Sequence, residues 1–134
     1  EVIEARLAPQ DVADWLLGTE GLPLAYSSAD PAEVARIQEK FGREASSAAL
    51  EDFFAAVARL AVAGGASRII TAGGETSGAV IEALEIGALE IGPEIDPGVP
   101  ALRARPDLVV ALKSGNFGAE DFFEKADRLL KGDA

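Results

Sequence analysis

Apolar residues recur along this chain in two rhythms, and the alternation between them predicts the fold. From Ala8 to Glu20 the pattern predicts a short helix with Val12, Trp15 and Leu16 on one face, Trp15 being a packing residue. Leu22 to Tyr26 follows as a short strand. Asp30, Pro31 and Glu33 then carry a helix-start signature: an N-cap, proline at the first helical position and the capping-box spacing. The helix they open is expected to turn Val34, Ile37 and Phe41 inward. After Gly42 a longer helix runs from about Ser46 to Ala63, its apolar positions Leu50, Phe53, Phe54, Val57, Leu60 and Ala61 spaced by three and four. Gly64 and Gly65 end it.

The second half switches to strands. Ser67 to Ala72 reads as a strand and leads through Gly73 into a helix with Ala79, Val80, Ala83 and Leu84 on one side. Ala88 to Ile91 reads as another short strand. The three prolines and two glycines between Gly92 and Pro100 predict a stiff irregular loop. Leu108 to Leu112 is continuously apolar, as in a strand covered on both faces. A last helix packs through Phe122, Phe123, Ala126, Leu129 and Leu130. Strands alternating with helices predict an α/β fold of three layers, a largely parallel sheet with helices on both faces. Ligands of such sheets bind at the carboxyl ends of the strands.

Two glycine turns fall at those ends. The first is Gly73-Gly74-Glu75-Thr76-Ser77-Gly78 and the second Lys113-Ser114-Gly115-Asn116-Phe117-Gly118. A strand, a glycine turn and a helix start present backbone N–H groups and a positive dipole end to an anion such as phosphate. The first turn lacks the Gly-Lys-Ser/Thr of a P-loop, and its adjacent glycines break the dinucleotide fingerprint. By spacing alone it serves equally as a tight entry to a helix capped by Thr76 or Ser77; the two hydroxyls favour a ligand. Lys113 follows five apolar residues, so its ammonium is expected where phosphates would sit, and Gly115 permits close backbone approach. Phe117 reads as a core plug. Glu94 and Asp96 are either water-bridged Mg²⁺ holders or solvent-facing acids, and no acid–base pair follows from spacing.

Composition narrows the chemistry. The 134 residues include neither cysteine nor histidine, which removes thiol nucleophiles, disulfides, imidazole catalysis and the usual zinc sites. The lack of disulfides fits a reducing cytoplasm, the expected location. No apolar run approaches the roughly 20 residues that span a bilayer. With 23 acidic and 12 basic residues the net charge is −11, which argues against nucleic acid as partner. Between Ile69 and Leu102 there are six carboxylates and no base, so a polyphosphate approaching there would bring a divalent cation.

Three strings in order, T-A-G-G-E-T-S-G-A-V from Thr71, I-G-P-E-I-D-P-G-V-P from Ile91 and A-L-K-S-G-N-F-G from Ala111, resemble the C-terminal nucleotide-binding domain of the four-carbon acid-sugar kinases. That family includes 3-oxo-tetronate, erythronate and threonate kinases, and the resemblance covers essentially the whole chain. It implies that residues 1–134 are the C-terminal domain of a two-domain, ATP-dependent kinase that phosphorylates a sugar acid on its terminal hydroxyl. It implies that Gly73, Gly74, Glu75, Thr76 and Gly115 contact ATP, with Lys113, Ser114 and Asn116 nearby and Mg²⁺ accompanying the nucleotide. A sugar-acid-binding domain and a serine-rich nucleotide motif are expected ahead of Glu1, so this fragment alone is expected to be inactive. The sequence leaves open a stand-alone nucleotide or sugar-phosphate sensor using the same turns, and a domain whose glycines serve packing alone.

Overall fold

A computed structural model describes residues 7–28 and 30–132. Helix α1 (Pro9–Gly18) precedes α2 (Pro31–Phe41) and the long α3 (Arg43–Ala63). Then come β1 (Arg68–Ala72), α4 (Gly74–Ala83), β2 (Glu90–Asp96), β3 (Val99–Arg105), β4 (Leu108–Lys113) and α5 (Phe122–Leu130). The four strands form one sheet in the order β1-β4-β3-β2. No helix among the described residues is long and apolar enough to cross a membrane.

β4 shows why the sheet carries helices on both faces. Side chains alternate across a strand, and those of β4 are apolar on each side. Leu108 and Val110 pack with Ala58 of α3 and with Val80 and Leu84 at α4. Ala111 belongs to the opposite cluster, with Phe122, Ala126 and Leu130 of α5. A third cluster joins Ala13 of α1 to Phe53, Val57 and Ala61, behind the sheet layer. The α/β class and its three layers therefore stand.

The sheet, however, is mixed rather than largely parallel. Only β1 and β4 run parallel, while β2–β3 and β3–β4 are antiparallel. Pro97-Gly98 and Pro106-Asp107 are the whole of the two connections, and links that short join only antiparallel neighbours. The stretch expected as an irregular loop supplies most of a hairpin. Pro93 is accommodated because β2 is an edge strand, Pro97 lies in the turn, and Pro100 of β3 lies opposite Glu94, where the register breaks on either side.

Three smaller expectations also change. Residues 22–26 form no strand. Helix α2 buries no residue, Val34 and Phe41 being 38% and 37% exposed. Trp15 is 51% exposed and, with Leu24, Tyr26, Phe53 and Phe54, lines an open apolar hollow of about 440 Å³. The N-terminal signature of α2 is otherwise present in its main half: the Glu33 amide donates to Asp30 Oδ1 at 2.9 Å.

Candidate functional site

The parallel pairing of β1 with β4 brings the two glycine turns together. In their register Ala72 lies opposite Lys113, so the strands end side by side. The amide of Gly73 donates to the carbonyl of Lys113 at 2.8 Å. Gly73 has φ +109 and ψ 131, a conformation open essentially to glycine alone. This reversal lets the chain leave the sheet and enter α4 within one residue.

At the start of α4, Gly73 is the N-cap and offers no side chain. The carbonyl of Gly73 accepts the Ser77 amide at 2.9 Å, while no side chain caps the amides of Gly74, Glu75 and Thr76. First-turn amides have no partner within their own helix. They therefore form a donor cluster at the positive end of the α4 dipole. Neither Thr76 nor Ser77 caps the helix. Instead the Ser77 hydroxyl is buried and shares a 2.7 Å hydrogen bond with the Thr71 hydroxyl, which fastens the helix start to β1. Gly74 and Glu75 are exposed and Thr76 is half-buried.

The second turn lies beyond β4. Ser114, Gly115 and Asn116 are exposed and Lys113 is half-buried. The Lys113 ammonium donates to the carbonyls of Ser114 and Gly115, each at 3.3 Å. Among the described residues its partners are thus loop carbonyls, and no carboxylate pairs with it. A Cβ at Gly115 would meet nothing within 4 Å. Phe117 is no core plug: it is half exposed, and its ring covers Gly98 at the β2–β3 turn.

Glu94 and Asp96 do not converge on a metal. Glu94 Oε1 accepts the Gly98 amide at 3.1 Å and so closes its own turn. Asp96 Oδ2 accepts the Ala119 amide at 2.9 Å, and Oδ1 pairs with the Lys125 ammonium. That Lys125 hydrogen bond, followed by the Ala119 amide, holds the Asp96 carboxyl below its ordinary 3.8 although burial opposes it. The same bond raises Lys125 above 10.5. Among the described residues no three acidic side chains gather as metal ligands. Lys125 is the participant that spacing did not disclose, and Asp96, expected as a metal holder or a solvent-facing acid, is bonded to it and to Ala119 instead. The only signal was Asp-Pro-Gly, a turn sequence that marks the β2–β3 hairpin.

A family model described as the nucleotide-binding C-terminal domain matches residues 3–123. The chain belongs to this family. A 3-oxo-tetronate kinase from Pectobacterium atrosepticum is 50% identical over 123 residues, covering 89% of this chain and 29% of the relative. One from Brucella melitensis is 48% identical over 123 residues, covering 88% and 28%. A crystal structure of a Haemophilus influenzae protein has the same fold, with a TM-score of 0.85 at 38% identity, covering 96% of this chain and 32% of that one. The chain therefore spans less than a third of each of these relatives.

Proposed function

We propose that this domain is the ATP-binding part of a kinase that phosphorylates a four-carbon sugar acid, a tetronate or 3-oxo-tetronate, on its terminal hydroxyl. One observation carries the reading: the hydrogen bond from Gly73 to Lys113, which holds both glycine turns at the same end of the sheet. The names of the relatives, 3-oxo-tetronate kinase, supply the substrate class.

Phosphoryl transfer asks a protein mainly for positioning and charge neutralisation. Here the uncapped amides of Gly74, Glu75 and Thr76 receive phosphate oxygens, as helix N-termini do in general. Lys113 adds a positive charge from the neighbouring strand, exchanging its two long carbonyl contacts for a phosphate. Ser114, Gly115 and Asn116 face the nucleotide, with Gly115 allowing the backbone close to it. Mg²⁺ accompanies the nucleotide in this proposal but takes no ligand from Glu94 or Asp96, whose carboxylates are bonded elsewhere. The sugar acid is bound by the part of the protein outside this chain. A cytoplasmic location, where ATP is abundant, belongs to the same reading; neither nucleic acid nor membrane does.

Gly115→Val in the full-length protein is the direct test. The added side chain has free space in the fold, so the variant should remain folded while losing ATP–Mg²⁺ affinity by calorimetry. Unchanged affinity removes the second turn from the site.

A further inference from the structure

The loop between β4 and α5 contains Gly115 and Gly118, and its own hydrogen bonds are few and long, the Lys113 ammonium reaching the Ser114 and Gly115 carbonyls at 3.3 Å. Within it the Phe117 amide reaches the Ser114 carbonyl at 3.2 Å. Gly118 has φ +90. Such a segment has many backbone conformations to lose on ordering. Something outside the loop must hold it in one of them.

That support comes from the β2–β3 turn. Asp96, the last residue of β2, is only 8% exposed and uses both carboxylate oxygens. One accepts the Ala119 amide, 23 residues away, and the other pairs with Lys125, which also reaches Asp121 Oδ1 at 3.2 Å. Bonds of this kind, with an ionised acceptor, are about twice as strong as neutral ones. Two residues on, Gly98 (φ +81) seats the Phe117 ring so closely that a Cβ there would lie 2.8 Å from Cε1. The loop also sets the lysine. A Cβ at Gly118 would lie 3.1 Å from Lys113 Cε, so the Lys113 stem rests on the residue just before Ala119.

We infer that Asp96 is a positioning residue for the second nucleotide turn: with Gly98 it fixes the loop from Ser114 to Ala119, and through Gly118 it places the Lys113 ammonium. The inference rests on reading that turn as part of an ATP site. An ionised Asp96 is in keeping with this role, since its carboxyl stays charged well below neutral pH. Asparagine keeps the size and can still accept from Ala119, but it turns an N–H toward Lys125 in place of an acceptor.

The test uses the full-length protein and two variants that disturb the loop from different contacts. Asp96→Asn breaks the ion pair; Gly98→Ala displaces Phe117 and keeps both partners of the Asp96–Lys125 pair. The KM for ATP should rise about tenfold in Asp96→Asn, the effect of one lost charged hydrogen bond. It should rise in the same direction in Gly98→Ala, with the KM for the sugar acid unchanged in both. A lower thermal midpoint with an unaltered KM for ATP in both variants means that Asp96 only docks α5, and overturns the inference. If Asp96→Asn does not fold, Gly98→Ala decides alone. A wild-type protein showing no saturable ATP binding overturns the nucleotide reading itself, and the inference falls with it.

Discussion

Gly73 donates its amide to the carbonyl of Lys113 at 2.8 Å, so the last residue of β4 is bonded to the residue that turns β1 into α4. With the parallel pairing of β1 and β4, this contact brings together two segments forty residues apart in the chain. It also consumes the Gly73 amide. The donors left for an anion are those of Gly74, Glu75 and Thr76.

The two glycines of the first turn should respond oppositely to alanine. At Gly73 the backbone conformation disfavours any Cβ, and Gly73→Ala should lower stability by about 1–3 kcal/mol in urea titrations. At Gly74 a Cβ meets nothing within 4 Å, and alanine in a helix is favoured over glycine by about 1 kcal/mol. Gly74→Ala should therefore keep or raise stability while weakening ATP binding. Full ATP affinity in that variant would take Gly74 out of the phosphate contact.

Ser77 and Thr71 should show the asymmetry of a buried polar pair. Ser77→Ala leaves the Thr71 hydroxyl buried without its partner, at a cost of about 1–3 kcal/mol. Adding Thr71→Val should recover part of that loss, because both polar groups are then gone. Denaturant midpoints of the two single variants and the double variant check this, and a double variant less stable than Ser77→Ala contradicts it.

The Asp96–Lys125 pair predicts a definite pH dependence. The Asp96 carboxyl is lowered in the folded protein, so its contribution is present above the ordinary 3.8 and lost as pH falls through the lower folded value. Lys125 is raised, so its contribution is present below 10.5 and lost as pH rises through the higher folded value. Asp121, the second acid facing Lys125, adds to the alkaline effect. The stability gap between wild type and Asp96→Asn should be steady from about pH 5 to 9 and narrow in acid below that window. A gap that instead widened in acid would exclude the ion pair as its source.

Asp30 should matter locally. Removing an N-cap costs about 1 kcal/mol, but α2 buries none of its residues. Asp30→Ala should accelerate amide exchange within α2 and leave the exchange of α3 and β4 unchanged. Uniform acceleration across the chain would mean that α2 is more tightly integrated than its exposure implies.

Local pattern alone determined a good part of this protein. The three-four spacing from Leu50 to Ala61 specified α3, the run Leu108 to Leu112 specified a strand covered on both faces, and Asp30-Pro31 specified where α2 begins. Each depends on residues within one turn or one strand, where side-chain periodicity and backbone stereochemistry act directly. Both glycine turns were legible for the same reason. Tertiary structure decided what depends on partners distant in the chain. Residues 22–26 carry apolar alternation without a strand to pair with, and α2 carries an apolar stripe without a core to receive it. The prolines around Asp96 concealed a hairpin because their missing N–H groups are harmful only where the sheet needs them, and an edge with broken register does not. Asp96 itself reads in the sequence as a metal holder or a solvent-facing acid, since its partners Ala119 and Lys125 lie 23 and 29 residues further on. Whether a carboxylate is free or bound depends on which chain segments fold against it, and no spacing within its own segment encodes that.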